Sequence, residues 1–123
     1  NLQQVSMDGK MLTSPYSMVS DMWSFIKSIF SSGPSLSELL SEDYIVIDVR
    51  TPGEFKSGHV QGSKNIPLNQ IKSKISSLKK QKKRVILCCA SGMRSGRATK
   101  ILRSEDLDAH NGGSWQTVAS AVK

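Results

Sequence analysis

Two short apolar runs stand out from an otherwise mixed chain. Tyr44-Ile45-Val46-Ile47 and Val85-Ile86-Leu87-Cys88 are unbroken and rich in β-branched residues. That pattern predicts strands buried on both faces, as in a parallel sheet, over 44–47 and 84–88. Helical spacing appears elsewhere. Leu68, Ile71, Ile75 and Leu78 predict a helix over 68–80, and Ala98, Ile101 and Leu102 give residues 94–103 an inward face. Ser35-Leu36-Ser37-Glu38 is a Ser-x-x-Glu capping box that opens a short helix. Pro52 starts a turn and a short helix through Phe55. Lys64 to Ile66 reads as a short strand, Leu107 to His110 as a weak one, and Trp115 to Val122 as a closing helix. Strands alternating with helices predict an α/β fold, three layers deep, around a parallel sheet. Ligands in such sheets sit beyond the carboxyl ends of the strands, and Cys89 stands at such an end.

The first third of the chain has a different character. Residues 1–17 are polar and without period, and are expected to be disordered or an appended remnant. Over 18–33 an amphipathic helix and linker are expected. Met18, Met22, Phe25 and Ile29 form one row, Val19, Trp23, Ile26 and Phe30 the row beside it, and Ser31-Ser32-Gly33-Pro34 ends the helix. Trp23, Phe25, Lys27 and Phe30 would also suit a membrane surface, but packing on its own domain or a partner is the expectation. Residues 34–123 form the remaining domain. The chain begins with Asn1 rather than Met, so a fragment or processed product is expected.

At 123 residues the chain is sized for one domain with its own core. The longest apolar stretch, Val85 to Ala90, is far too short to cross a bilayer. Cys88 and Cys89 are the only cysteines, and they are adjacent, so no disulfide framework is available. Free thiols suit a reducing compartment, which makes the cytoplasm the expected location, with an exported form left open by the chain's start. The net charge of +7 is concentrated in Lys79-Lys80-Gln81-Lys82-Lys83-Arg84. No aromatic residue interleaves this patch to stack on bases, so it reads as a solvated helix end, and nucleic acid is not an expected partner. His59 and His110 are the only histidines and lack matching ligand spacing, so no metal site is expected.

The chemistry concentrates in Cys89-Ala90-Ser91-Gly92-Met93-Arg94-Ser95, directly after the second apolar run. A strand, a short Gly-containing loop and a helix can aim backbone amides and the helix's positive end at one sulfur. Arg94 adds a cation. All three favour the thiolate, the nucleophilic form of cysteine. Gly92 lets an amide turn inward, and Ser91 and Ser95 are placed to hydrogen-bond the sulfur or cap the helix. Cys88 points to the other face by strand alternation and is expected to be a core residue.

Five segments, in order, resemble the rhodanese-like family of sulfurtransferases: Asp48-Val49-Arg50-Thr51-Pro52-Gly53-Glu54-Phe55, Gly58-His59-Val60-Gln61-Gly62-Ser63, Asn65-Ile66-Pro67-Leu68, Cys89 to Ser95, and the closing turn Asn111-Gly112-Gly113-Ser114-Trp115. The resemblance implies a rhodanese-like three-layer α/β/α sandwich with about five strands. It also implies sulfur transfer through a persulfide on Cys89, with Ala90, Ser91, Gly92, Met93, Arg94, Ser95 and Arg50 about the substrate, and Asp48 and His59 in support. The expected partners are a small anionic sulfur donor such as thiosulfate and a thiol or protein acceptor. No metal or organic cofactor is implied, and a monomer is expected. Four residues separate Cys89 from Arg94, the sulfurtransferase spacing. Five separate Cys88 from Arg94, the spacing of cysteine-dependent phosphatases that share this fold, so a phosphatase or arsenate reductase is an alternative, as is a non-catalytic binding module. Gly96 departs from the Ala that family members often carry.

Overall fold

The computed structural model describes residues 33–122, and the expected polar segment 1–17 and amphipathic helix 18–30 lie outside the described residues. In chain order the elements are α1 (Leu36–Leu39), β1 (Tyr44–Asp48), α2 (Pro52–Ser57), β2 (Lys64–Asn65), a 3-10 segment (Leu68–Lys74) continuing into α3 (Ile75–Gln81), β3 (Arg84–Cys89), α4 (Met93–Ser104), β4 (Ala109–Ser114) and α5 (Trp115–Ala121). The sheet order is β2-β1-β3-β4, with every pair parallel. Four strands are present among the described residues where about five were expected.

Strand alternation divides the interior in two. Ile47, Val49, Val85, Leu87 and Cys89 pack with Ile71, Leu78, Ala98 and Leu102 on one face of the sheet. Val46, Ile86 and Cys88 pack with Leu39, Val60 and Val118 on the other. Helices therefore cover both faces, as an all-parallel sheet requires.

Three elements differ from the sequence reading. The helix expected over 68–80 begins as 3-10 and becomes α-helical only at Ile75. Its apolar residues keep the inward face expected of them, with Ile71 and Leu78 fully buried. β3 runs one residue further, so Cys89 is still within the sheet. The largest difference is β4, expected at Leu107–His110 and found at Ala109–Ser114. Its register against β3 jumps between Leu87↔Asn111 and Cys88↔Gly113, a bulge at Gly112. A Cβ on Gly112 would stand 2.6 Å from Val118 Cγ2 and 2.9 Å from Ile86 Cγ2. The segment that reads as a turn is thus a bulged strand whose glycine lets it lie against the core.

Candidate functional site

Cys89 ends β3 and lies beneath the turn that opens α4. Gly92, with φ of 98°, caps this helix in a left-handed conformation that glycine adopts without strain. That turn aims its donors inward: Gly92 N–H donates to the Cys89 sulfur at 3.0 Å and Ser95 N–H at 3.4 Å. The sulfur thus lies at the positive end of a twelve-residue helix. Burial pushes the Cys89 thiol up. The Ser95 hydroxyl and backbone amide, with the amides of Gly92 and Ser91, pull it down further, to about 7. Cys88 is pushed up to about 12 by burial and by the nearby charge of Asp48, against the pull of Arg50. It would therefore carry a proton at neutral pH.

Ser95 is fully buried and faces two partners. Its hydroxyl oxygen is 3.4 Å from the Cys89 sulfur and 2.7 Å from Asn111 Oδ1. One hydroxyl has one proton, and the shorter contact to oxygen is the stronger. While Cys89 is a thiol the proton goes to Asn111 and the two backbone amides are the donors to sulfur; once the thiolate forms, it draws the hydroxyl proton as well. Asn111 also donates from Nδ2 to Gly92 O at 2.9 Å and accepts from Gly113 N–H at 3.0 Å. The bulge therefore pins the loop through one amide side chain. Gly96 has a matching role: a Cβ there would meet Asn111 Nδ2 at 3.3 Å.

Arg94 was expected to place its charge at the sulfur and about the substrate. Instead its guanidinium pairs with Glu54, Nη1 to Oε1 at 2.8 Å and Nη2 to Oε2 at 3.0 Å. Glu54 is fixed by the capping box of α2, its Oε1 accepting from Thr51 N–H at 3.1 Å. Arg94 and then Thr51 hold the Glu54 carboxyl at about 2, well below the usual carboxylate range.

Arg50 was expected at the substrate, but its guanidinium is committed elsewhere. It is buried and makes a forked pair with the fully buried Asp48, with Nη2 2.7 Å from Oδ2. Nη2 also donates to Gly58 O at 2.6 Å, and the group lies 5.1 Å from the centre of the Trp115 ring. Asp48 is thus a structural partner at the end of β1. His59 stacks on Phe55 with ring centres 3.7 Å apart, and its Nδ1 bonds Phe55 O at 2.7 Å. Ala90 and Ser91 are exposed, and Met93 stands out at 70% exposure.

The structure therefore gathers Cys89, Gly92, Arg94 and Ser95 about one loop, and leaves Arg50, Asp48 and His59 in supporting bonds away from it. Glu54 and Asn111 contact that loop and were not singled out from the sequence. Their signals were a Thr-x-x-Glu capping pattern at 51–54 and an Asn-Gly-Gly segment misread as a turn. Among the described residues no group of three or more His, Cys, Asp or Glu could hold a metal ion, and no helix is long and apolar enough to cross a membrane.

Comparison with known proteins places this geometry. The family model for the rhodanese-like domain matches residues 33–118. An uncharacterized protein of Bacillus subtilis, YqhL, is 47% identical over 58 residues, covering 47% of this chain and 45% of that protein. The thiosulfate sulfurtransferase PspE of Escherichia coli is 40% identical over 57 residues, covering 46% of this chain and 55% of that protein. The matches thus span about half the length of these relatives. A solved E. coli structure described as a rhodanese with anions superposes with a TM-score of 0.58 at 35% identity, over 62% of this chain and 92% of that one. A rhodanese-related protein from Thermoplasma volcanium gives 0.59 at 31% identity, over 71% and 86%. With a matching α/β fold and a cysteine loop at the end of the central strand, the chain belongs to the rhodanese-like domain family.

Proposed function

We propose that this chain is a sulfurtransferase that carries sulfur as a persulfide on Cys89. The observation that carries the reading is the convergence of Gly92 N–H and Ser95 N–H on one sulfur at the end of β3. Neutral donors of this kind favour the thiolate and would equally hold the terminal sulfur anion of a persulfide.

The reaction is a double displacement. The Cys89 thiolate attacks the outer sulfur of a donor such as thiosulfate. A new S–S bond forms, the donor's own S–S bond breaks, and sulfite leaves with the electron pair. An acceptor, cyanide or a thiol, then attacks the outer sulfur of the persulfide, and the cysteine sulfur leaves as thiolate. No redox co-reactant is needed for either step. Cys89 is fully covered in the resting conformation, beneath a loop whose Ala90, Ser91 and Met93 are exposed.

Steady-state kinetics with thiosulfate and cyanide test the reading. Thiocyanate release with parallel double-reciprocal lines is expected, the signature of a ping-pong cycle. Absence of thiocyanate from folded protein would remove sulfur transfer between these substrates.

A further inference from the structure

Arg94 is the only charged side chain in the loop 89–95 apart from the thiolate itself. Both of its terminal nitrogens face the Glu54 carboxylate. That carboxylate is not a loose surface group. Oε1 accepts from Arg94 and from the backbone and hydroxyl of Thr51, both at 3.1 Å, so the capping box of α2 holds Glu54 where it meets a residue forty positions away. Arg94 also lines an open groove of about 460 Å³ with Val49, Thr51, Pro67, Leu68 and Asn69, none of which carries a charge. Asp48 and Arg50 cancel one another beneath the end of β1. At the one cationic side chain of the loop there is thus a neutral ion pair where the sequence alone suggests an exposed cation.

We propose that Glu54 sets the charge selectivity of the site. By holding Arg94 in a forked pair it neutralises the loop's one cation, so that an anionic reagent must compete with a fixed carboxylate for the guanidinium while a neutral one is unaffected. Glu54 is a positioning residue: it acts through Arg94 and does not touch the sulfur. The inference deepens the sulfurtransferase reading, because it names what limits the use of anionic donors. It rests on that reading only for the identity of the donor. The charge effect itself concerns any reagent that reaches Cys89.

The variant Glu54→Gln removes the charge and keeps a residue suited to the capping box. Two readouts are taken on the full chain at low ionic strength. The first is alkylation of Cys89 by iodoacetate and by iodoacetamide, which differ chiefly in charge, with the modified peptide identified by mass. The second is kcat/KM for thiosulfate. Glu54→Gln is expected to raise the iodoacetate-to-iodoacetamide rate ratio by about tenfold, the lower end of electrostatic focusing. The gain should shrink as salt is added and disappear in Glu54→Gln/Arg94→Gln. The kcat/KM for thiosulfate should rise in step. An unchanged ratio overturns the inference. So does an equal fall with both reagents, which would make Glu54 a prop for the loop. A raised ratio in a protein that transfers no sulfur from thiosulfate would uphold the charge effect and sink the sulfurtransferase reading.

Discussion

Cys88 and Cys89 are consecutive residues of β3 with opposite surroundings. Cys88 packs with Val46, Ile86 and Val118 on one face of the sheet, and Cys89 lies on the other, beneath the amides of Gly92 and Ser95. Burial holds the first thiol near 12, while hydrogen bonding outweighs burial and draws the second to about 7. The two therefore separate cleanly by mutation. Cys88→Ala is expected to retain sulfur transfer and to cost about 1 kcal/mol of stability, typical of a modest core change. The wild type is expected not to hydrolyse an aryl phosphate. Phosphate turnover that vanishes in Cys88→Ala and survives in Cys89→Ala would reverse the assignment.

The pH dependence follows from the same sulfur. The thiolate is the reactive form, so the rate of sulfur loading should rise through pH about 7 and level off above it. Ser95→Ala removes the hydroxyl and keeps the N–H, which should move the midpoint upward. Stability carries the complementary signature. Between about 7 and the ordinary 9.0 the unfolded chain still binds a proton that folded Cys89 has released. Cys89 therefore makes the fold more stable as pH rises across that window, a contribution lost as pH falls through about 7. A rate profile flat from pH 6 to 9 would contradict the assigned ionisation.

Arg50 tests the buried ion pair at the end of β1. Its forked pair with Asp48 is buried on both sides, and removing one member leaves an uncompensated charge. Arg50→Ala is expected to lower stability by about 3 kcal/mol, at the low end of the range for a broken buried pair. Thermal unfolding checks this directly. A shift within error of wild type would mean that Asp48 is readily resolvated.

Gly112 and Gly53 make a contrasting pair. A methyl on Gly112 would press against Val118, Ile86 and the Leu87 carbonyl, whereas nothing lies within 4 Å of the corresponding position at Gly53 in α2. Gly112→Ala should destabilise by about 1–3 kcal/mol through overpacking. Gly53→Ala should be neutral or stabilise by up to about 1 kcal/mol, as expected within a helix. Equal melting temperatures for the two variants would show that the bulge relaxes around a side chain.

Much of this arrangement was legible in the sequence because strong local patterns set it. The runs 44–47 and 85–88 are apolar on both faces, which only a covered parallel sheet accommodates. The order of five motifs located Cys89 and its loop. What escaped depends on contacts between distant segments. Arg94 reads as a free cation until the fold brings Glu54 to it, and Arg50 reads as a substrate contact until Asp48, Gly58 and Trp115 surround it. Asn111-Gly112-Gly113 has turn composition. Its strand conformation is set by pairing with β3 and by a close approach that only glycine permits.

The persulfide itself is the most direct test. The full-length protein is incubated with thiosulfate, desalted and weighed intact, and its peptides are mapped. One added sulfur atom on Cys89 is expected, discharged by cyanide, absent from Cys89→Ser and present in Cys88→Ala. A folded wild type that gains no sulfur, or one that carries it on Cys88, would contradict this expectation.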